Sequence, residues 1–240
     1  MTWEAERVWV TGEEFPYSSS QVKKAGNRIR RAEERGEAPG EEDLRLLDLY
    51  RSSHYPALRH VQNRLERLLH KKRRLDPETS TITARPLKTR EAIVAKLVRE
   101  RGRLNRIQDI AGARIVVPGA AEQEAVLRIV TSLENLKPVV AKDSRKQADE
   151  QGYRAVHVVL TTAHPGIGER PAEIQIRTIA ENAWAQVVEN IDGVLGSDLK
   201  HGNGPADYQE WLLELSDALA AVERGEPYTI REMPPVIQSP

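Results

Sequence analysis

The segment "AEIQIRT" constrains the fold of this chain more than any other stretch. If it forms a β-strand, alternation puts Glu173, Gln175 and Arg177 on one face and Ile174 and Ile176 on the other. The isoleucines require a hydrophobic core, whereas carboxylate, amide and guanidinium groups are suited to lining a polar cleft. The segment therefore predicts a sheet with one buried face and one polar face. The simpler alternative is an ordinary surface ion pair between Glu173 and Arg177.

A second strand is predicted at "GYRAVHVVL", where Tyr153 and His157 share one face while Arg154 and Val156 share the other. Aromatic and imidazole rings stack nucleobases and tolerate a polar rim. We therefore expect a platform for a base at this strand. The alternative is a satisfied Tyr–His pair on a half-buried sheet.

Periodicity elsewhere predicts helices and further short strands. Apolar residues recur at three- and four-residue spacing in the helical segments, which are 18–34, 41–75, 89–101, 120–134, 179–191 and 208–223. Further strands are predicted at 81–84, 115–117 and 137–142. Helices that flank several short strands indicate an α/β or α+β domain.

The composition excludes several classes of site. The chain contains no cysteine, so it has no disulfide, thiolate metal site or cysteine nucleophile. Its N-terminus is too acidic and too interrupted for a signal peptide or a membrane span, and we expect a cytoplasmic protein without a membrane partner. The 36 basic and 36 acidic residues balance, but basic residues concentrate at 23–31, 70–74 and 85–106. These runs suit nucleotide or RNA phosphates, or are solvated helix faces.

The third basic run leads into an acid at the start of a predicted strand. Arg85 ends one strand, Lys88 precedes a helix and Lys96 lies within it, which is an arrangement suited to a triphosphate. Asp109 comes directly before the next apolar run. Asp109 and Glu173 are thus a pair of carboxylates able to hold Mg²⁺ or to take a proton from an attacking hydroxyl. The chain has neither a P-loop nor a Rossmann glycine motif.

In combination and in order, five segments resemble the synthetase domain of the RelA/SpoT family, the pyrophosphokinases that make pppGpp and ppGpp. They are "SSSQVKKAG", "LKTREAIVAKL", "DIAGARIVV", "GYRAVH" and "EIQIRT", the last followed by Trp184 and Ala185. The resemblance implies an α+β fold with a mixed five-stranded sheet and flanking helices, related to nucleotidyltransferases. It also implies transfer of the β,γ-pyrophosphate of ATP to the 3′-hydroxyl of GDP or GTP, with Mg²⁺ as cofactor and AMP as the second product.

The resemblance implies roles for individual residues and an organisation for the chain. Asp109 and Glu173 are the expected catalytic and Mg²⁺-binding acids. The residues expected to bind ATP are Arg85, Lys88, Lys96, Arg114 and Arg177. The residues expected to bind the acceptor are Lys146, Tyr153, His157 and Gln175. The expected organisation is a helical region at 1–80 packed on a catalytic core at 81–195, a C-terminal helix at 196–226 and a flexible tail at 227–240.

The chain also departs from the family pattern, mostly around the acceptor. The positions that differ include Pro86, Ser144, Ala148, Asp149, Val188 and Glu189. Pro86 stands where the ATP segment usually has arginine, and Asp149 stands where the acceptor loop usually has lysine. Two alternatives therefore stay open: a toxin that modifies adenine nucleotides or the tRNA 3′ end and is neutralised by an antitoxin protein, and an inactive module that binds nucleotide or protein. A homo-oligomer is compatible with each.

Overall fold

Five strands form a single mixed sheet in the computed structural model, which describes residues 14–71 and 75–235. The strands are β1 (Thr81–Arg85), β2 (Ala111–Val117), β3 (Val139–Asp143), β4 (Val156–His164) and β5 (Gly168–Thr178). Their order is β1-β2-β5-β4-β3, in which β2 and β5 are parallel and the other neighbours are antiparallel. The predicted mixed five-stranded sheet is therefore confirmed.

Seven α-helices surround this sheet in the described part of the chain. They are α1 (Ser19–Glu34), α2 (Glu41–Ser52), α3 (Tyr55–Glu66), α4 (Arg90–Arg99), α5 (Ala120–Thr131), α6 (Ile179–Leu195) and α7 (Ala206–Arg224). Short 3₁₀ turns lie at Leu104–Arg106, Glu134–Leu136 and Leu199–His201, and a π-helical turn at Arg67–Lys71 follows α3. Among the described helices, none has the length and apolar character that crossing a bilayer requires.

The single long helix predicted for 41–75 is wrong. Instead, the helical segment is interrupted between α2 and α3, and Pro56 lies at the start of α3. A proline there has no N–H to donate and its ring would clash with the carbonyl of Ser52, so the helix restarts instead of continuing. Residues 72–74 of the basic run at 70–74 lie outside the described residues.

The isoleucine face of the central strand β5 is buried, as alternation predicts. Ile174 and Ile176 are fully enclosed by side chains from α3 and α5, including Val61 and Val126. Full burial of each such side chain contributes about 1.5–3 kcal/mol. This layer of two helices fixes which face of β5 is left for polar residues.

Two further cores lie outside the isoleucine core of the sheet. Helices α1, α2 and α4 pack around Leu104 of the first 3₁₀ turn. Helices α6 and α7 pack around Trp184 and Tyr153. Glu173 of β5 lines a cleft together with Asp109.

The described part of the C-terminal tail, which we predict to be flexible, contacts α7. Trp211 Nε1 donates to the carbonyl of Arg231 at 3.1 Å, and the Tyr208 hydroxyl donates to the carbonyl of Pro234 at 3.1 Å. Arg231 also pairs with Glu210 at 3.1 Å. The polar ends of two α7 aromatic residues thus contact the tail. Residues 236–240 lie outside the described residues.

Candidate active site

Asp109 and Glu173 lie close together on two neighbouring parallel strands, Asp109 just before β2 and Glu173 in the middle of β5. Asp109 precedes β2 by two residues, and Glu173 of β5 is paired with Gly112 of β2. A Cβ at Gly112 would lie 2.9 Å from the Glu173 carbonyl oxygen, so a glycine allows the strands to approach here. Both carboxylates face the same cleft. The structure thus brings together the two acids that the sequence indicated.

Asp109 is held ionised by two lysines. Lys88 Nζ lies 3.0 Å from Oδ2, and Lys96 Nζ lies 3.0 Å from Oδ1. The backbone N–H of Lys88 donates to the carbonyl of Ile110, which places Lys88 beside the acid, and α4 carries Lys96. Burial raises the pKa of Asp109, but the two ammonium groups lower it further, and the pKa lies below its ordinary value.

Glu173 is the end point of a chain of hydrogen bonds that begins at Arg177. Arg177 Nη2 donates to the Tyr153 hydroxyl at 3.0 Å, and that hydroxyl lies 2.7 Å from His157 Nε2. His157 Nδ1 lies 3.0 Å from Glu173 Oε1. The ionised carboxylate of Glu173 only accepts, so Nδ1 carries a proton, and Nε2 of a neutral His157 then accepts from the Tyr153 hydroxyl. The arrangement therefore fixes the tautomer of His157.

A second route joins the same two residues. Arg177 Nη2 donates to Gln175 Oε1 at 3.2 Å, and Gln175 Nε2 donates to Glu173 Oε2 at 3.1 Å. Burial raises the pKa of Glu173, but the hydrogen bonds from His157 and Gln175 outweigh burial, and the pKa lies below its ordinary value. Glu173 is therefore an ionised carboxylate whose two oxygens are both oriented.

Arg177 is a buried cation without an acidic partner. It is 1% exposed, and among the described residues no carboxylate forms an ion pair with it. Its guanidinium lies 5.1 Å from the ring centroid of Tyr153. Its Nε has no hydrogen-bond acceptor within the described structure. A buried charge of this kind is costly unless an opposite charge approaches it, which points to an anionic ligand.

Further cations gather near Arg177. The pKa of Arg114 is lowered mainly by burial and further by the charges of Arg177 and Arg85. The carboxylate of Glu189, 3.9 Å from Arg114 Nη2, opposes this shift without reversing it. Partial desolvation of its ammonium group and the charges of the same two arginines lower the pKa of Lys200, which is otherwise an exposed residue of the third 3₁₀ turn. Sequence analysis identified Arg85, Arg114 and Arg177 but missed Lys200 and gave Glu189 no role. No motif around Lys200 marks it, because only the fold brings that turn to the site.

Tyr153 is less open than a base-binding platform requires. Tyr153 and His157 stand together as expected, with ring centroids 5.6 Å apart. Tyr153 is only 6% exposed, however, because Trp184 packs against its ring and Lys142 Nζ lies 5.0 Å from its centroid. Strand β4 begins at Val156, so Tyr153 lies just before the strand rather than within it.

The loop before Tyr153 is organised by Asp149. Its Oδ1 accepts hydrogen bonds from the backbone N–H groups of Gln151 and Tyr153, and its Oδ2 lies 2.7 Å from Lys142 Nζ. Lys146 is exposed in this loop and has no ion pair among the described residues. Of the residues expected to bind the acceptor, Lys146 is the one that the structure does not join to the hydrogen-bonded cluster.

Comparisons with known proteins support the resemblance described in the sequence analysis. A family model for the region found in RelA / SpoT proteins matches residues 85–191. GTP pyrophosphokinase YwaC of Bacillus subtilis (strain 168) is 31% identical over 122 residues, which cover 47% of this chain and 58% of that protein. GTP pyrophosphokinase YjbM of the same strain is 34% identical over 89 residues, which cover 36% of this chain and 42% of that protein. The chain therefore spans about half the length of these curated relatives.

The fold also matches a solved structure. The small alarmone synthetase 1 from Bacillus subtilis, bound to its product pppGpp, aligns with a TM-score of 0.61 at 25% sequence identity. The alignment covers 72% of this chain and 90% of that chain. The predicted α+β fold and the predicted resemblance to the RelA/SpoT synthetase domain are thereby confirmed.

Proposed function

We propose that the protein is an ATP-dependent pyrophosphokinase, because residues 85–191 match the family model for the region found in RelA / SpoT proteins. It transfers the β,γ-pyrophosphate of ATP to the 3′-hydroxyl of GDP or GTP, makes ppGpp or pppGpp, and releases AMP. The observation that carries this proposal is a pair of ionised carboxylates beside a cluster of cations that has few acids of its own. Such a site suits the transfer of a highly anionic group without a covalent nucleophile.

The reaction is a displacement at the β-phosphorus of ATP. The 3′-oxygen of the acceptor forms a bond to that phosphorus while the bond to the oxygen bridging to the α-phosphate breaks. AMP leaves with the electron pair of the broken bond. Glu173 accepts the hydroxyl proton, since it is ionised and its oxygens are oriented by His157 and Gln175. Its low pKa makes it a modest base, so positioning and charge neutralisation contribute most of the acceleration.

Mg²⁺ is the cofactor that these acids fit. Both carboxylates are ionised, and Asp109 Oδ1 is buried without a hydrogen-bond donor, although Lys96 Nζ lies 3.0 Å away. Magnesium prefers carboxylate oxygens and shares its remaining positions with water and substrate phosphates. Charge neutralisation of the phosphates is the chemistry that Mg²⁺ supplies when Asp109 and Glu173 hold it.

The cations around the acids bind the donor phosphates and orient the site. Lys88 and Lys96 are near enough to Asp109 to share their N–H groups with a phosphate beside it. Arg85 and Arg114 face the donor from β1 and β2, and Lys200 adds a third positive charge. Arg177, which the resemblance places among the ATP-binding residues, is buried, and its hydrogen bonds to Tyr153 and Gln175 support a role in stabilising the site.

A guanine acceptor stacks on Tyr153 after a small rearrangement. Lys142 covers the ring in this structure, and its partner Asp149 is also partly exposed. Ion pairs at such positions contribute only about 0–1 kcal/mol, so a base displaces Lys142 at little cost. His157 and Gln175 lie beside the position that the acceptor ribose would occupy.

One observation favours a second candidate acceptor, the 3′ end of tRNA. Asp149 places a negative charge where the family usually has a lysine for the acceptor, and that charge disfavours a 5′-polyphosphate nearby. A terminal ribose within a nucleic acid carries no such polyphosphate.

The test is an acceptor panel with γ-labelled ATP and Mg²⁺. GDP, GTP, AMP and deacylated tRNA are incubated separately with the wild-type protein and with Asp109→Asn as the inactive control. The proposal predicts label on GDP or GTP, and label on tRNA alone would select the second candidate. No labelled acceptor from a folded wild-type protein would reject pyrophosphate transfer and favour the inactive binding module.

A further inference from the structure

A cleft of about 480 Å³ opens beside Asp109 and Glu173 at the C-terminal end of α4. Three arginines line it, Arg101, Arg103 and Arg106, all from residues 100–108, which are called the arginine loop. All three are exposed, and within the described ranges none of them forms an ion pair. The cleft therefore presents unneutralised positive charge next to the two carboxylates.

The acids of the cleft do not neutralise this charge. Glu100 also lines the cleft, but it is 3.3 Å from Arg99 and 3.8 Å from Lys96. Asp109 is already paired with Lys88 and Lys96. The arginines of the loop are therefore available to an anion from outside the chain.

The arginine loop is held rigidly against α1. Leu104 is fully buried and packs directly on Gly26, where a Cβ would lie 2.5 Å from the Leu104 Cβ. Asn105 Nδ2 donates to Ser19 Oγ at 2.8 Å. Arg101 has a left-handed backbone with φ 46°, a conformation that a non-glycine residue keeps only when its surroundings enforce it. A loop fixed in this way presents its charges with little loss of entropy on binding.

The arginine loop lies apart from Arg85 and Arg114, whereas Lys96 lines the same cleft. Arg85 and Arg114 do not line this cleft, and Arg114 lies farther along β2, beyond Gly112. A triphosphate whose β-phosphorus sits at the acids extends in two directions. Its nucleoside end reaches towards one group of cations, which leaves the arginine loop for phosphate groups on the other side.

We propose that the arginine loop binds phosphate groups of a substrate, an inference that rests on the proposed function and names a binding site for it. Guanidinium groups suit this ligand because they donate pairs of hydrogen bonds to phosphate oxygens. The phosphates come either from the terminal end of ATP or from the acceptor, and the chemistry of recognition is the same for both.

The test compares Arg103→Gln/Arg106→Gln with the wild type. Inorganic tripolyphosphate is titrated into each protein by calorimetry, and steady-state transfer is measured with ATP and acceptor varied in turn. Loss of two charged hydrogen-bonding groups should weaken tripolyphosphate binding roughly tenfold or more. A raised KM for ATP identifies the donor as the source of the phosphates, and a raised KM for the acceptor identifies the acceptor. Arg128→Gln, an exposed arginine on α5, is the matched control and should bind like the wild type.

A second pair of variants tests the anchoring of the loop. Gly26→Ala forces a methyl group against Leu104 and should shift the arginine loop, which weakens tripolyphosphate binding without removing a charge. Gly193→Ala, where an added Cβ meets nothing within 4 Å, is its control.

Tripolyphosphate binding that Arg103→Gln/Arg106→Gln leaves within about twofold of the wild type overturns the inference. A protein that binds tripolyphosphate through these arginines but transfers no pyrophosphate supports the phosphate site while rejecting the proposed function. The two failures are therefore distinguishable.

Discussion

Replacing Tyr153 with phenylalanine removes one oxygen atom from the centre of the site and keeps the ring. That oxygen donates to His157 Nε2 at 2.7 Å and accepts from Arg177 Nη2 at 3.0 Å. Without it, Arg177 keeps only the longer bond to Gln175 at 3.2 Å through that nitrogen. The substitution thus leaves a fully buried cation with a poorly satisfied donor.

The expected cost follows from the burial of these groups. A buried donor or acceptor left unsatisfied costs about 1–3 kcal/mol, so we expect the free energy of unfolding to fall by about 2 kcal/mol. In a domain of this size that loss corresponds to a decrease in Tm of roughly 4–8 °C.

Activity should fall as well, because His157 loses the Nε2 partner that helps to orient its ring towards Glu173. We expect kcat to fall roughly tenfold, equivalent to about 1.4 kcal/mol of transition-state stabilisation. The KM for the acceptor should change little, since the phenylalanine ring retains the stacking surface.

The assay combines thermal unfolding with pyrophosphate-transfer kinetics. Tyr228→Phe is the matched control, because Tyr228 is exposed and its hydroxyl should be dispensable. If Tyr153→Phe matches the wild type in both Tm and kcat, the hydrogen-bonded chain from Arg177 to Glu173 has no energetic role and the reasoning fails.

Two other predictions concern parts of the structure away from the acids. Burial lowers the pKa of His54 to about 3 in the folded protein. Below pH 6.5 the unfolded chain therefore binds a proton at this residue that the folded chain does not bind, and the free energy of unfolding falls as the pH falls. Between pH 6.5 and about pH 5 this residue should lower the free energy of unfolding, measured by urea denaturation, by about 2 kcal/mol. If the unfolding free energy of His54→Gln depends on pH as strongly as that of the wild type, the reasoning is contradicted. Gly152 has φ 93°, and an added Cβ would lie 3.1 Å from Trp184, so Gly152→Ala should lose about 2–3 kcal/mol of unfolding free energy. Gly36→Ala, which has a positive φ but open space, should lose about 1–2 kcal/mol, and equal losses would show that crowding is unimportant.

The polar face of β5 was predictable because it depends only on local alternation. Glu173, Gln175 and Arg177 share the face opposite the buried isoleucines, and the hydrogen bonds among them follow from that position. Asp109 was also predictable, since it directly precedes an apolar strand. The sequence underestimated β2 because Ala111 and its neighbours are not a continuous apolar run, although they pair with both flanking strands.

The covering of Tyr153 was not predictable by the same rule. Alternation gives the side of the strand on which a ring lies, but not what packs against that ring. Trp184 comes from α6, and Lys142 comes from β3 on the other side of the loop. Lys200 was missed for a related reason, because its position beside Arg177 depends on how α6 turns back over the sheet.

The most direct test of pyrophosphate transfer is the amount of AMP released for each acceptor molecule labelled, measured for the wild type and for Glu173→Gln. The wild type should release one AMP for each labelled acceptor. Glu173→Gln should keep the wild-type circular dichroism spectrum and lose roughly 10²–10⁴-fold in rate, since it removes the proton acceptor and a carboxylate of the proposed Mg²⁺ site. Release of ADP instead of AMP, or wild-type activity in Glu173→Gln, would contradict the proposed reaction.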